Sequence, residues 1–351
     1  MNNTCTLNKR QDYILHFINQ RGSAAVSEIF SAIQKETGIV AEITVKRDLK
    51  KLVDFDLLAS KGAGRAVKYE LSSGYSLVRP IDVDAYFEKE IDERVIRERF
   101  NFHVFLELKF IFSSDEKIFL QKLNNGYIKK IRKLPKDVIK KEFERLTIEL
   151  SWKSSRIEGN TYSLLETEQL IKENRKAKGH TEEEAIMIMN HKKTLDYIRN
   201  NNRTFRVISL RKLEEIHSLL TNGLGISKNV RKTLVRITGT RFKPLDNEFQ
   251  IVEALKRTCS LVNKQKNPFE KAFILMLLIA YIQPFVDGNK RTSRLAGNAV
   301  LLANDCCPLS YRSINEIEYK KAVLIFYEQN NISYFKKLFL QQFEFVVKNY
   351  F

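Results

Sequence analysis

The stretch YIQPFVDGNKRTSR, residues 281–294, decides how the C-terminal half of the chain is interpreted. It follows an apolar helical pattern that begins near Pro268 and runs into a second helical pattern, so the small residues between them form a tight loop. A loop at a helix N terminus directs free backbone N–H groups at one point, which attracts phosphate. Arg291 and Arg294 are three residues apart and can reach the same anion. The stretch therefore predicts an anion site between two helices.

The other side chains of this loop fit the same interpretation. Asp287 offers the hard oxygen ligand that a magnesium ion bridging phosphates prefers. Gly288 lets the backbone come close to a ligand, and Asn289 is expected to orient a phosphate oxygen. Gln283 can hydrogen-bond a hydroxyl group, but an amide cannot take up its proton. The loop therefore has the parts of an anion cradle without a general base at its entrance.

At these residues the chain resembles the Fic/Doc (Fido) family, whose loop reads HPFx(D/E)GN(G/K)RxxR, with Gln283 replacing the histidine. The resemblance covers roughly residues 144–351 and implies a mainly α fold, a helical bundle with a small β-hairpin flap. It implies Mg²⁺-dependent transfer of AMP from ATP to a Ser, Thr or Tyr hydroxyl of an unknown target protein. Catalytic roles would fall to Gln283 (the position of the family base), Asp287 and Arg291, with Asp287 as the metal ligand. The implied nucleotide-binding residues are Gly288, Asn289, Lys290, Arg291, Thr292, Ser293, Arg294, Gly239, Thr240, Phe242 and Tyr319.

The stretch SSRIEGN, residues 154–160, is similar to the inhibitory motif (S/T)xxxE(G/N) of the same family. The resemblance implies an inhibitory helix around residues 151–160, in which the glutamate pairs with Arg294 and blocks seating of the γ-phosphate. An Arg–carboxylate fork competes directly with an Arg–phosphate fork, so the expectation is physically sound. The implied regulatory residues are Ser154, Glu158 and Gly159.

The stretch TLVRITGTRFKPL, residues 233–245, is interpreted as a strand pair with a turn at Gly239. It lies where the family places a flap that holds a target segment by adding a strand. His217, in a helical pattern, is expected to be a packed histidine rather than a substitute base.

The N-terminal residues 1–72 predict three helices followed by a small basic hairpin. This order resembles a winged helix-turn-helix domain, in which the third helix enters the major groove and the wing contacts the DNA backbone. The alternative is a winged helix used for protein contact or dimerisation, because the segment holds 11 Lys and Arg against 8 Asp and Glu. The implied DNA-binding residues are Thr44, Lys46, Arg47, Lys50, Lys61 and Arg65.

The composition sets the remaining expectations. The chain has 351 residues and a net charge of +18, which suits a polyanionic partner. It is divided into a winged helix (1–72), a helical connector (73–143) that starts with a linker at 73–80, and the Fic domain (144–351). Scattered histidines and cysteines, no signal sequence and no membrane-length apolar run predict a cytoplasmic protein with reduced thiols, no dedicated zinc site and no membrane contact.

Three functions follow from these patterns. The first is a Fic-type protein adenylyltransferase, restrained by Glu158 and slow because Gln283 replaces the base. The second is a catalytically weak, ATP-binding transcriptional regulator that acts through the winged helix. The third is a Doc-like protein phosphotransferase, since the Doc branch carries lysine at the position of Lys290. The sequence leaves the target, the DNA site and a homo-oligomer open.

Overall fold

The computed structural model describes residues 7–38, 40–108 and 111–351, apart from the side chains of Thr37 and Arg65. The chain forms two compact units, Met1–Pro80 and Ile81–Phe351. Helices dominate both, as the expected mainly α fold requires. The expected connector, 73–143, is divided between the two units, and the predicted domain boundaries stay predictions.

The N-terminal unit contains the three helices and the two following strands that the sequence predicted. Asn8 and Gln11 form a reciprocal cap at the start of the first helix, and Gly22 (φ 77°) ends it. Apolar side chains of the three helices, among them Ile18, Ile29 and Leu49, are fully buried in one core. The helices of this unit are α1 (Lys9–Arg21), α2 (Val26–Thr37), α3 (Glu42–Asp54) and α4 (Ser73–Val78).

A three-stranded antiparallel sheet completes this unit, in the order β1 (Ser23–Ala25), β3 (Lys68–Leu71), β2 (Leu58–Lys61). Tyr69 of β3 lies opposite Ala24 of β1 and Ser60 of β2. The short strand β1 was not predicted, because three residues are too few to show an alternating pattern. Assignment of this unit to the winged helices stays a prediction.

Most of the segment 73–80, expected to be a linker, forms α4, and the N-terminal unit ends at Pro80. The Ser72 hydroxyl caps the helix by accepting a hydrogen bond from the N–H of Tyr75, which offsets the low helix propensity of Gly74.

The described part of the C-terminal unit contains twelve further α-helices. The first four are α5 (Val83–Glu88), α6 (Val104–Glu107), α7 (Ser114–Lys133) and α8 (Lys136–Ile157). The next four are α9 (Leu164–Glu173), α10 (Glu182–Asn200), α11 (Leu210–Leu220) and α12 (Glu248–Lys264). The last four are α13 (Pro268–Ile282), α14 (Asn289–Ala303), α15 (Glu316–Gln329) and α16 (Ser333–Asn349).

The helices α13 and α14 form the centre of this unit. Asn267 caps α13 and Pro268 occupies its first turn, and almost every side chain of the helix is buried. Gly297 of α14 faces Met276 of α13 so closely that an added Cβ would lie 2.2 Å from the Met276 Cε. The loop between these two helices therefore has a fixed position in the core.

The hairpin expected at 233–245 is absent: this fully described segment turns at Gly239 (φ 86°) and contains no strand pair, only an isolated bridge between Lys243 and Arg99. Its carbonyl groups bind arginine side chains instead of each other. Arg231 donates to the carbonyls of Thr233 (2.7 Å) and Leu245, and Arg94 donates to that of Gly239 (2.8 Å). We call residues 233–245 the flap segment.

Among the described residues, no helix combines the length and the apolar character that crossing a lipid bilayer requires. Cys259, Cys306 and Cys307 are free and buried, whereas Cys5 lies outside the described residues.

Candidate functional site

A cavity of about 530 Å³ opens at the junction of α13 and α14. The end of α8, the flap segment and one face of α15 form its other walls. Eight of the residues that the sequence selected line it: Glu158, Gly159, Gln283, Asp287, Gly288, Asn289, Lys290 and Arg291. The loop and the first turn of α14 therefore form one continuous surface, as their spacing predicted.

Gly288 is the N-cap residue of α14 and has a left-handed backbone (φ 77°). An added Cβ would lie 3.3 Å from Thr221 Cγ2 and 3.5 Å from His217 Cδ2, so both the conformation and the space favour glycine. In the described part of the chain no side chain caps this helix. The first N–H groups of α14 are therefore available to an anion in the cavity.

The side chain of Asn289 binds the backbone of the loop. Its Oδ1 accepts from the N–H of Phe285 and its Nδ2 donates to the carbonyl of the same residue, both at 2.8 Å. These bonds use one of the two Nδ2 hydrogens, and the expected contact of Asn289 with a phosphate oxygen stays a prediction. His217 of α11 packs against the loop. Its ring stacks on that of Phe285 with centroids 3.7 Å apart, and its Nε2 lies 3.0 Å from the Asp287 carbonyl oxygen. Burial lowers the pKa of His217, which suits a packed, neutral ring.

Arg291 is the cation nearest the loop carboxylate. Its side chain is 2% exposed, and Nη2 donates to Asp287 Oδ2 at 3.2 Å. Its Nε and Nη1 have no hydrogen-bond partner among the described residues, although both are buried. Burial lowers the pKa of Arg291, and the Asp287 and Glu158 carboxylates oppose that shift. A guanidinium with two unpaired donors beside a cavity fits an anionic ligand.

Glu158 closes one wall of the cavity as the C-cap residue of α8. Arg294 Nη1 donates to its Oε1 at 2.9 Å, and Lys290 Nζ donates to its Oε2 at 3.2 Å. Arg294 also binds the hydroxyl and the carbonyl of Ser154, at 2.9 and 2.8 Å. The pairing of Glu158 with Arg294 was expected from the sequence, whereas the contact of Lys290 with Glu158 was not.

The electrostatics of this cluster favour its charged state. Burial alone would raise the pKa of Glu158, but the charges of Arg294 and Lys290 outweigh burial and hold this pKa below its usual value. Burial also opposes the charge of Arg294, yet the Glu158 carboxylate raises the Arg294 pKa. Arg294 is fully buried and its charge depends on Glu158 for compensation.

Gln283 ends α13 in a left-handed conformation (φ 51°). Its Nε2 donates to the Ala280 carbonyl at 2.6 Å and to the Tyr327 hydroxyl at 3.1 Å. Arg231 Nε donates to the Gln283 carbonyl at 2.7 Å. Since Arg231 also binds the flap segment, one guanidinium connects the loop with the flap, a link that no local pattern in the sequence signals.

Several expected nucleotide-binding side chains lie outside the cavity lining. The Ser293 hydroxyl donates to the Met276 carbonyl at 2.5 Å, and Phe242 stacks on Tyr281 and Tyr327 in the core. Tyr319 is 1% exposed and lies under the Arg294 guanidinium, 5.3 Å from it. The residues outside the lining are Gly239, Thr240, Phe242, Thr292, Ser293, Arg294 and Tyr319.

The wall of the cavity that α15 forms was not predicted. Lys320, Val323, Leu324 and Tyr327 of α15 line the cavity, at the spacing i, i+3, i+4 and i+7 that places side chains on one helix face. That periodicity was the available signal. The flap segment adds residues such as Arg236 and Thr238.

In the N-terminal unit, Lys46, Arg47 and Lys50 of α3 are exposed and Thr44 is partly buried. Lys46 pairs with Glu42 at 2.8 Å and Lys61 with Glu70 at 2.7 Å, which reduces the free positive charge. The side chain of Arg65 lies outside the described residues. Contact with DNA stays a prediction.

Comparison with known proteins bears on the C-terminal unit. Residues 207–301 match the model of the Fic/DOC family, which confirms the predicted Fic/Doc domain over this segment. Protein adenylyltransferase fic-1 of Caenorhabditis elegans is 26% identical over 172 residues, 46% of this chain and 33% of that protein. The match thus spans about a third of the length of this curated relative.

Solved structures show the same architecture. A Fic-1 structure from C. elegans gives a TM-score of 0.56 at 18% identity, covering 67% of this chain and 71% of that chain. A Fic-domain signaling protein from Bacteroides thetaiotaomicron gives 0.54 at 17% identity, covering 66% and 96%. At these identities the likeness establishes the fold alone.

Proposed function

We propose that the chain is a Fic-type protein adenylyltransferase, which transfers AMP from ATP to a Ser, Thr or Tyr hydroxyl of a target protein. The observation that carries this proposal is the cavity at the start of α14. The uncapped N–H groups of the helix lie there, and Lys290 and Arg291, whose Nε and Nη1 have no partner among the described residues, line it. The similarity to an adenylyltransferase supports it. The expected cytoplasmic location stays part of the proposal.

The chain's own groups would hold the nucleotide by its phosphates. Backbone N–H groups of the first turn of α14 would bind phosphate oxygens, and Arg291 would add its unpaired donors. Asp287 lines the cavity with a side chain that is 65% exposed, so its carboxylate fits a Mg²⁺ ion held by one protein ligand and phosphates. When bound, Mg²⁺ would neutralise charge on the phosphates. Asp287 would then exchange its contact with Arg291 for the ion.

Gln283 sets the expected rate. It occupies the position where the family base would take the proton of the target hydroxyl, and an amide has no such capacity. Loss of a general base costs about 10²–10⁴ in rate, while phosphate binding is independent of that proton. The proposal is therefore a slow transferase with an intact nucleotide site.

Glu158 supplies the restraint in this proposal. It accepts from Nη1 of Arg294, while Ser154 accepts from Nε and Nη2, and a γ-phosphate would compete for the same guanidinium. A phosphate can bind Arg294 only if this carboxylate leaves, because both compete for the same fork.

The test compares wild type, Glu158→Gly, Gln283→His and the double variant, each incubated with Mg²⁺, ATP and cell lysate and analysed by mass spectrometry. We expect AMP on protein hydroxyls, weakly in wild type, more in Glu158→Gly and most in the double variant. Asp287→Ala in the double background is the inactive control. Absence of modified protein in both wild type and Glu158→Gly argues against a natural transferase.

The same samples separate adenylyl from phosphoryl transfer. Label from α-³²P-ATP marks the target in the first case, and label from γ-³²P-ATP in the Doc-like case. Lys290 is engaged by Glu158 in this structure, which is the reason to include the Glu158→Gly background.

The exposed cations of α3 favour a second candidate, an ATP-binding transcriptional regulator. Its test is DNA affinity of the full chain, selected from a random duplex pool, with and without Mg²⁺ and ATP. We expect Lys46→Ala and Arg47→Ala to weaken binding and reduce its salt dependence. No DNA binding, or binding indifferent to ATP, eliminates this candidate.

A further inference from the structure

The side chain of Gln283 belongs to a closed hydrogen-bond triangle with Ala280 and Tyr327. Gln283 Nε2 lies 2.6 Å from the Ala280 carbonyl and 3.1 Å from the Tyr327 hydroxyl. The Tyr327 hydroxyl itself lies 2.6 Å from the same carbonyl. Gln283 is 8% exposed and Tyr327 is fully buried, so water does not compete for these bonds.

The triangle assigns the orientation of the amide. A carbonyl oxygen accepts only, so the Gln283 atom beside Ala280 has to be the NH₂ group. Tyr327 has one hydrogen, which goes to Ala280, and its oxygen therefore accepts the second hydrogen of Gln283. The flipped amide would place two carbonyl oxygens in contact and leave the Tyr327 hydroxyl as the single donor of the triangle.

Both hydrogens of the Gln283 amide are consequently engaged, one by the Ala280 carbonyl and one by the Tyr327 hydroxyl. The polar atom of this side chain left for a ligand is Oε1, which makes no hydrogen bond to another described residue. Gln283 lines the cavity beside Asp287 and Gly288. At this point the cavity offers an acceptor, which can bind a hydroxyl group and repels a carboxylate or phosphate oxygen.

Tyr327 is well suited to hold this arrangement. Burial raises the pKa of Tyr327 well above its usual value, so the hydroxyl keeps its hydrogen throughout the physiological range. Phe242 of the flap segment stacks on the Tyr327 ring with centroids 5.4 Å apart, which holds the ring in place. Phe242, expected to contact nucleotide, supports this triangle instead.

We propose that Tyr327 is a positioning residue that fixes Gln283 as a one-directional hydrogen-bond acceptor for the target hydroxyl. The proposal rests on the proposed transferase function and deepens it. Gln283 then orients the incoming hydroxyl without taking its proton, which gives the glutamine a function of its own at the base position. Orientation contributes to rate independently of proton transfer.

The first experiment needs no activity. The full-length protein with ¹⁵N-labelled glutamine is examined by NMR, and the Gln283 amide signal is identified as the one lost in Gln283→Met. We expect its hydrogens to exchange slowly with solvent in wild type, and about tenfold faster in Tyr327→Phe, which removes one bond. Tyr311→Phe, which alters another buried tyrosine beside α13, is the matched control and should leave the exchange unchanged.

Exchange in wild type as fast as in a solvent-exposed glutamine, or equal exchange in Tyr327→Phe, overturns the proposal. A general loss of folding in Tyr327→Phe would accelerate exchange at other buried amides as well, so it is recognised in the same spectra.

The second experiment measures function in the Glu158→Gly background. We expect Tyr327→Phe to lower the rate of AMP transfer about five- to tenfold with the ATP Kd unchanged. In a Gln283→Met background, Tyr327→Phe should have no further effect on the rate, since it acts through the amide. A fall in ATP affinity, or additive losses, overturns the proposal. Absence of transfer in all variants rejects the transferase function, while the exchange experiment still decides the orientation of Gln283.

Discussion

The C-terminal unit contains two buried Glu–Arg pairs with the same chemistry and different surroundings. Glu328 is fully buried; Arg94 Nη1 binds its two oxygens at 3.2 and 3.3 Å, and the Tyr86 hydroxyl donates to it at 2.6 Å. The side chain of Glu158 is 18% exposed at a cavity wall, where Arg294 and Lys290 bind it.

The exposure of each pair decides whether a ligand can reach it and replace its glutamate. No ligand can replace Glu328 without unfolding its surroundings, because both partners are 5% exposed or less. In the function proposed above, a phosphate entering the cavity would replace Glu158 and leave Arg294 compensated. One pair therefore stabilises the flap segment through Arg94 and Gly239, whereas the other is the one that a ligand would displace.

The largest effect is expected when the sealed pair is broken. Arg94→Met leaves Glu328 uncompensated and should lower the free energy of unfolding by about 3–5 kcal/mol, measured by denaturant titration. Arg94→Met combined with Glu328→Gln should lose less than the single variant, because no lone charge stays buried. The exposed Arg97→Met is the control, at less than about 0.5 kcal/mol. Equal losses in all three variants would contradict the assignment.

The next effect concerns the replaceable pair. Glu158→Gly should raise the affinity for ATP with Mg²⁺ about tenfold by calorimetry, because the nucleotide then meets a free Arg294. Without nucleotide the variant should be less stable than wild type, and ATP should raise its Tm more than that of wild type. Glu168→Ala on the exposed face of α9 is the control. Unchanged affinity would show that Glu158 does not obstruct the nucleotide.

The pH dependence of the same pair follows from the lowered pKa of Glu158. A carboxylate with a lowered folded-state pKa adds stability that is fully present above its unfolded pKa and is lost as pH falls through the folded value. The stability difference between wild type and Glu158→Gln should thus be constant from pH 7 to about 5. It should shrink only below pH 4.5, the usual pKa of a glutamate side chain. Denaturant titrations at several pH values measure this difference. A difference that already declines near pH 6 would contradict a lowered pKa of Glu158.

The smallest effect is expected at Lys290. Its contact with Glu158 is partly exposed, and such pairs contribute about 0.2–1 kcal/mol. Lys290→Met should tighten ATP binding about two- to threefold in wild type by loosening Glu158. In the Glu158→Gly background the same change should weaken binding, since only the attraction to phosphate is then lost. If Lys290→Met changed the ATP affinity in the same direction in both backgrounds, Lys290 would not be holding Glu158 in place.

The parts of the site that could be predicted depend on short-range geometry. Gly288, Lys290 and Arg291 are grouped by the spacing of one loop and one helix turn, so the sequence located the cavity. The contact of Glu158 with Arg294 joins residues 136 positions apart and was available only through the resemblance to a family. The three N-terminal helices were predictable because their apolar periodicity ends at Gly22 and Gly38.

The differences from expectation come from side-chain hydrogen bonds to the backbone. Residues 233–245 have strand-like composition, but Arg231 and Arg94 occupy carbonyls that a hairpin would need. The motif around Asn289 gives no sign of its bonds to Phe285, four residues away. No local pattern specifies that the distant Arg94 reaches the Gly239 carbonyl.

The contact between Gly297 and Met276 has a consequence for how this protein can change. A methyl group at Gly297 would lie 2.2–2.9 Å from three atoms of the Met276 side chain, so either that side chain or the two helices would have to shift. A substitution at Gly297 is therefore a poor way to adapt the start of α14 to a different ligand. New specificity is expected to arise in the surrounding walls, at the end of α8, in the flap segment and on the exposed face of α15.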